Sequence, residues 1–155
     1  MKKLFLIGML LLSAVAAGCS SDHINEAEHT SMGDIREETS DASTLPGFLD
    51  DKPEDMQVLY TAVAQHKELL EQMPCYCGCG DSVGHKNNYD CFIHDEGGNR
   101  EVVWDSHATK CGVCLEIAAK SILDKRDGKS AKDIRQNIDK IYQNGYGEPT
   151  PTPDI

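Results

Sequence analysis

The chain has 155 residues, with 15 Lys and Arg against 26 Asp and Glu, a formal charge of −11, and 39% apolar but only 6% aromatic residues. That is enough for one small domain, and it excludes a nucleic-acid binder, since no basic stripe is present to replace counterions on phosphates. No apolar run is long enough for a permanent membrane-spanning helix; what departs from ordinary usage is sulfur, with seven Cys, six of them between residues 75 and 114.

Met1-Lys2-Lys3 precedes an apolar stretch from Leu4 to Ala17, the layout of a secretory signal. Ala16-Ala17-Gly18-Cys19 then places small residues directly before a Cys. This resembles the lipobox of bacterial lipoproteins, although Ala16 stands where that pattern favours Leu. The resemblance implies that residues 1–18 are a signal peptide and that Cys19 carries a diacylglycerol. The domain would then be lipid-anchored at the extracytoplasmic face of the bacterial cell membrane, where disulfides are permitted.

Residues 19–52 read as the lipidated Cys and a disordered acidic tether. Nine Asp or Glu and two basic residues fall between Ser20 and Lys52, without helical or strand periodicity. Such a stretch buries too little apolar surface to offset its ordering entropy. His23 and His29 read as solvated residues of this tether.

A Cys-rich helical domain is expected over 53–146. Pro53-Glu54-Asp55 opens a helix, and Met56, Leu59, Val63, His66, Leu70 and Met73 recur along one stripe until Pro74 ends it. His66 is the polar member of that stripe, a boundary residue or a partner of the cysteines that follow. Phe92-Ile93 and Val102-Val103-Trp104, separated by a Gly-rich turn, suggest a β-hairpin. A second helix is expected from His107 to Asp127, stopped by Gly128. A third follows the capping pattern of Ser130 to Asp133, with Ile134, Ile138 and Ile141 on one side. The tail, residues 147–155, carries Pro149, Pro151 and Pro153 and reads as extended, with no packing role. The expected fold is mainly α, a three-helix domain with a Cys-rich insertion between helices one and two.

Pro74-Cys75-Tyr76-Cys77-Gly78-Cys79-Gly80 places three thiols within five residues. They share one face if the segment is extended, and they converge if it curls at the glycines. His107, Cys111 and Cys114 stack along a helix face, or survive as a set if Gly112 interrupts the helix. Soft thiolates select Cu(I), Zn(II) and iron–sulfur centres. The first ligand shell expected is therefore Cys75, Cys77, Cys79, His107, Cys111 and Cys114, with His66, His85, Cys91 and His94 as further members or supporting partners. Closely spaced Cys-x-Cys sulfurs that can bridge ions favour copper; isolated structural zinc sites more often use Cys-x2-Cys.

Two alternatives stay open. Three disulfides could staple a small extracytoplasmic binding module without metal, although Cys-x-Cys bridges close a strained ring. Cys111-Gly112-Val113-Cys114 after the strand-like Glu101 to Trp104 could serve thiol–disulfide exchange. No Ser–His–Asp set, phosphate loop or paired carboxylate is recognisable, so an enzyme is not expected.

The run Pro74 to Cys79 resembles the motif of the bacterial PCYCGC-motif lipoproteins, a likeness spanning about residues 53–146 and the lipobox. It implies a lipid anchor and a central place for Cys75, Cys77 and Cys79, but it supplies no chemistry. The expected function is soft-metal binding, copper before zinc, for buffering or handover. Expected partners are membrane lipid, the ion, and a metal-delivery or surface protein.

Overall fold

The computed structural model describes residues 27–155. In chain order the elements are β1 (Glu28–His29), β2 (Ile35–Thr39), α1 (Glu54–Ala64), α2 (Lys67–Leu70), α3 (Gly80–Val83), β3 (Ile93–Glu96), β4 (Val102–Asp105), α4 (Gly112–Arg126) and α5 (Ala131–Tyr142). The strands form one antiparallel sheet in the order β1-β2-β4-β3. The domain is therefore mixed α/β, which corrects the mainly α, three-helix expectation. The signal segment, Cys19 and His23 lie outside the described residues.

The β3/β4 hairpin is where the alternating residues suggested it. The strands missing from the sequence reading, β1 and β2, come from the stretch read as an acidic tether, and Leu49 of that stretch is in the core. The strand β2 is only Ile-Arg-Glu-Glu-Thr, too polar to show an apolar alternation. Its place in the sheet is fixed by long-range polar pairs. Arg36 Nε meets Asp105 Oδ2 at 3.0 Å, Trp104 Nε1 donates to Thr39 Oγ1 at 2.8 Å, and Ile35 N donates to Ser106 Oγ at 2.7 Å. None of these is visible in a local window.

The first helical stripe is real but belongs to two helices. The chain leaves α1 at Gln65, and His66 adopts a non-helical conformation before α2. The predicted second helix is likewise divided: a single 3-10 turn covers His107–Lys110, Cys111 is extended, and α4 starts at Gly112. Ser130 caps α5 as its sequence indicated, accepting from Asp133 N at 3.1 Å.

Helices and sheet close around Trp104, Tyr60, Phe92, Leu70, Ile117, Ile134 and Ile138, all buried. Tyr60 joins the layers. Its ring packs edge-on against Phe92 at 4.9 Å between centroids, and its hydroxyl donates to the Asp105 carbonyl at 2.9 Å. Replacing Tyr60 with Phe leaves that buried carbonyl without its donor, so urea unfolding of the variant should show a loss of about 1–3 kcal/mol. Among the described residues, no helix is long and apolar enough to cross a membrane.

The tail also differs from expectation. Gly147 N donates to Tyr76 O at 3.0 Å, and Thr150 N to Cys75 O at 3.1 Å. Thr150 Oγ1 accepts from Cys75 N at 2.9 Å, and Arg135 Nη1 donates to Thr152 Oγ1 at 2.6 Å. Residues 147–152 form a strap across the cysteine loop. It packs through backbone and hydroxyl groups, which a scan for apolar side chains passes over.

Candidate metal centre

Between Met73 and Gly80 the chain curls, as one of the two sequence alternatives anticipated. Gly78 takes φ +78, the left-handed conformation that suits glycine, and α3 begins at Gly80. The curl turns Cys75, Cys77 and Cys79 towards the start of α4. There Cys111 is the residue preceding the helix and Cys114 lies in its first turn. Unpaired N–H groups at a helix start favour negative charge, here thiolate.

The six thiols form one cluster. Cys75 Sγ lies 3.4 Å from Cys114 Sγ and 3.6 Å from Cys91 Sγ. Cys77 Sγ lies 2.8 Å from Cys79 Sγ, and Cys79 Sγ lies 3.2 Å from His107 Nε2. Cys111 interacts with Cys77 and Cys114. All six cysteines among the described residues are free; these separations are well beyond the ~2.05 Å of a disulfide. An ion with tetrahedral bonds of ~2.3 Å would hold two thiolates about 3.8 Å apart, close to the spacing of Cys75 from Cys114 and Cys91.

Two groups of ligand atoms lie within 4.8 Å of one another: Cys75, Cys77 and Cys114, and Cys77, Cys79 and His107. Cys77 belongs to both. Cys75, Cys91 and Cys114 are fully buried, whereas Cys77, Cys79 and Cys111 are partly exposed. The cluster thus has an inner, all-sulfur side and an outer side where an imidazole joins.

Its thiols titrate as one coupled set. Hydrogen bonds from Cys111 and Cys114 pull the Cys77 thiol down to about 4, and those from Cys114 and Cys75 pull Cys91 to about 6. Burial and the adjacent Cys77 push Cys79 up. Cys114 is pushed up by its contacts with Cys111, Cys75 and Cys77. The thiols therefore oppose one another's ionisation, and they cannot all be thiolate without a counter-charge. A soft cation displaces their protons and lets every sulfur be thiolate.

His107 is held as metal-binding histidines usually are. Its Nδ1 lies 3.1 Å from Asp34 Oδ2, and Lys110 Nζ lies 3.2 Å from the other Asp34 oxygen. Hydrogen bonding to Cys77 and Asp34 raises its pKa against the effect of burial. Asp34 was not singled out in the sequence. It sits just before β2, 73 residues from His107, and only the pairing of β2 with β4 brings it there.

Cys91, named as a further member, joins the cluster. His85 lies outside the two groups, but its ring packs against that of His107. His66 does not reach the cluster: its Nδ1 is 2.7 Å from Ala62 O at the end of α1. His94 is exposed on β3 and also stays outside the two groups.

Residues 8–155 are matched by the model of a family described as a protein of unknown function with PCYCGC motif. No curated protein and no solved structure matches the chain.

Proposed function

Because the chain belongs to the PCYCGC-motif family, named for the loop that supplies half of the cluster, we propose that it binds a soft metal ion, Cu(I) ahead of Zn(II). It does so for buffering or handover at the extracytoplasmic face of the bacterial membrane, anchored through lipidated Cys19. The observation that carries the reading is the convergence of six free thiols and one imidazole from segments 75–79, 91 and 107–114. The all-thiolate inner side suits a monovalent soft ion that accepts two or three sulfurs. Partial exposure of Cys77 and Cys79 gives a second thiol protein a route for exchange. The role is that of a carrier rather than an enzyme.

The test is elemental analysis of the full chain, purified anaerobically in detergent from the membrane fraction. Copper or zinc near or above one ion per chain is expected, with the six thiols alkylatable once the ion is removed. A metal-free protein with three intact disulfides would overturn the reading. Recovery from the soluble fraction with an unmodified Cys19 would remove the anchor alone.

A further inference from the structure

We propose that His85 is a ligand of the outer metal position, completing a two-thiolate, two-imidazole centre with Cys77, Cys79 and His107; this rests on the metal reading above. His85 follows Gly84, which adopts φ +76 and closes α3. Its backbone is fixed by donation from His85 N to Gly80 O at 3.0 Å. The turn carries its side chain inward, where 4% of it remains exposed.

Buried there, neither ring nitrogen has a hydrogen-bond partner. Leaving such a polar atom unpaired costs about 1–3 kcal/mol, so an imidazole with both nitrogens unpaired is a poor piece of core. Among the described residues it is the one buried side chain with two such atoms. The same group is a good metal ligand in its neutral form.

Its supports parallel those of His107, which alone of the two already faces a sulfur. The two rings meet edge to face at 4.7 Å between centroids and 87°, and His107 Nε2 is the atom facing Cys79. Each imidazole has a carboxylate of its own: Asp34 at His107 Nδ1, and Asp105, whose Oδ2 lies 3.9 Å from His85 Nε2. Each carboxylate is held by a cation, Lys110 on Asp34 and Arg36 on Asp105. A metal-bound imidazole donates its second N–H to such an acceptor. With Nε2 on the Asp105 side, Nδ1 is the coordinating atom of His85.

The donor set then becomes six sulfurs and two nitrogens: with Cys77 shared, the outer ion has two thiolates and two imidazoles, and the inner ion draws its sulfurs from Cys75, Cys77, Cys91, Cys111 and Cys114. The inner position is all thiolate and the outer one mixed, so the two differ in the ions they favour: imidazole accepts Zn(II) and other borderline metals alongside copper.

The experiment is anaerobic titration of the metal-free full chain with Co(II), whose sulfur charge-transfer and ligand-field bands count tetrahedral sites. Wild type is expected to take up two ions. His85→Phe keeps the ring's shape and contact with His107 but removes both nitrogens. It should take up one ion, with the second bound at least about tenfold more weakly, and its metal-free form should melt no lower than wild type. His85→Cys should restore the second ion with stronger sulfur bands. Should the Phe variant fail to fold, His85→Gln carries the same comparison. Two ions bound equally well by wild type and His85→Phe would overturn the assignment of His85. Wild type that takes up neither Co(II) nor Cu(I) would instead overturn the metal cluster itself.

Discussion

Cys77→Ser should lose metal from both sides of the cluster, whereas Cys79→Ser should lose it from the outer side alone. The difference follows from position. Cys77 lies within reach of Cys75 and Cys114 on one side and of Cys79 and His107 on the other, so one sulfur serves both groups. It is also the thiol whose neighbours hold it most readily as thiolate, through hydrogen bonds from Cys111 and Cys114. A serine hydroxyl at that place is a hard, neutral ligand and cannot bridge soft ions. Metal content of the Cys77 variant should fall close to zero, with affinity reduced about 100-fold or more, beyond the 10–100-fold typical of removing a mere supporting residue. The Cys79 variant should retain its buried ion. Equal losses in the two variants would show that Cys77 is not shared.

The second large effect is expected from Gly147→Ala. A methyl group added there would stand 2.3 Å from Gly78 Cα and 2.4 Å from Gly78 N, both backbone atoms of the cysteine loop. Backbone cannot rotate away as a side chain does, so the strap must lift. Lifting forfeits the hydrogen bond from Gly147 to Tyr76 and the two between Thr150 and Cys75. At about 0.5–1.5 kcal/mol each, the loss should reach about 2–4 kcal/mol in urea unfolding, with faster release of bound metal because the loop is less firmly held. Gly112→Ala is the control. Nothing lies within 4 Å of its added methyl, and in the first turn of α4 alanine should be neutral or stabilising by up to about 1 kcal/mol. Equal stabilities for the two variants would mean that the strap is not held against the loop.

The cysteine–histidine cluster was legible because its signal is local. Three thiols in five residues, and His107, Cys111 and Cys114 at helical spacing, mark themselves whatever fold surrounds them. The scaffold was not legible, because it is assembled from distant polar pairs. Asp34 supports His107 across 73 residues, and Arg36 meets Asp105 across 69. The segment holding both acidic and basic partners looks like a solvated linker when read alone. His66 takes the boundary role rather than a place in the cluster: it keeps helical phase with its neighbours, and its Nδ1 lies 2.7 Å from Ala62 O beside the break between α1 and α2. Tyr60 was passed over in favour of the aliphatic stripe, although its hydroxyl is what ties α1 to the end of β4.

Because residues 147–150 follow the cysteine loop in the chain, the hydrogen bonds that clasp the loop form only after its thiols have been made. Asp34 is synthesised early and the thiols next, but the hydrogen bonds that clamp Cys75 and Tyr76 await residues 147–150. Until those residues dock, Cys75, Cys77 and Cys79 lie on an unclasped loop, at their most open to whichever ion or oxidant arrives first. The strap thus acts as the catch that closes after its contents are in place.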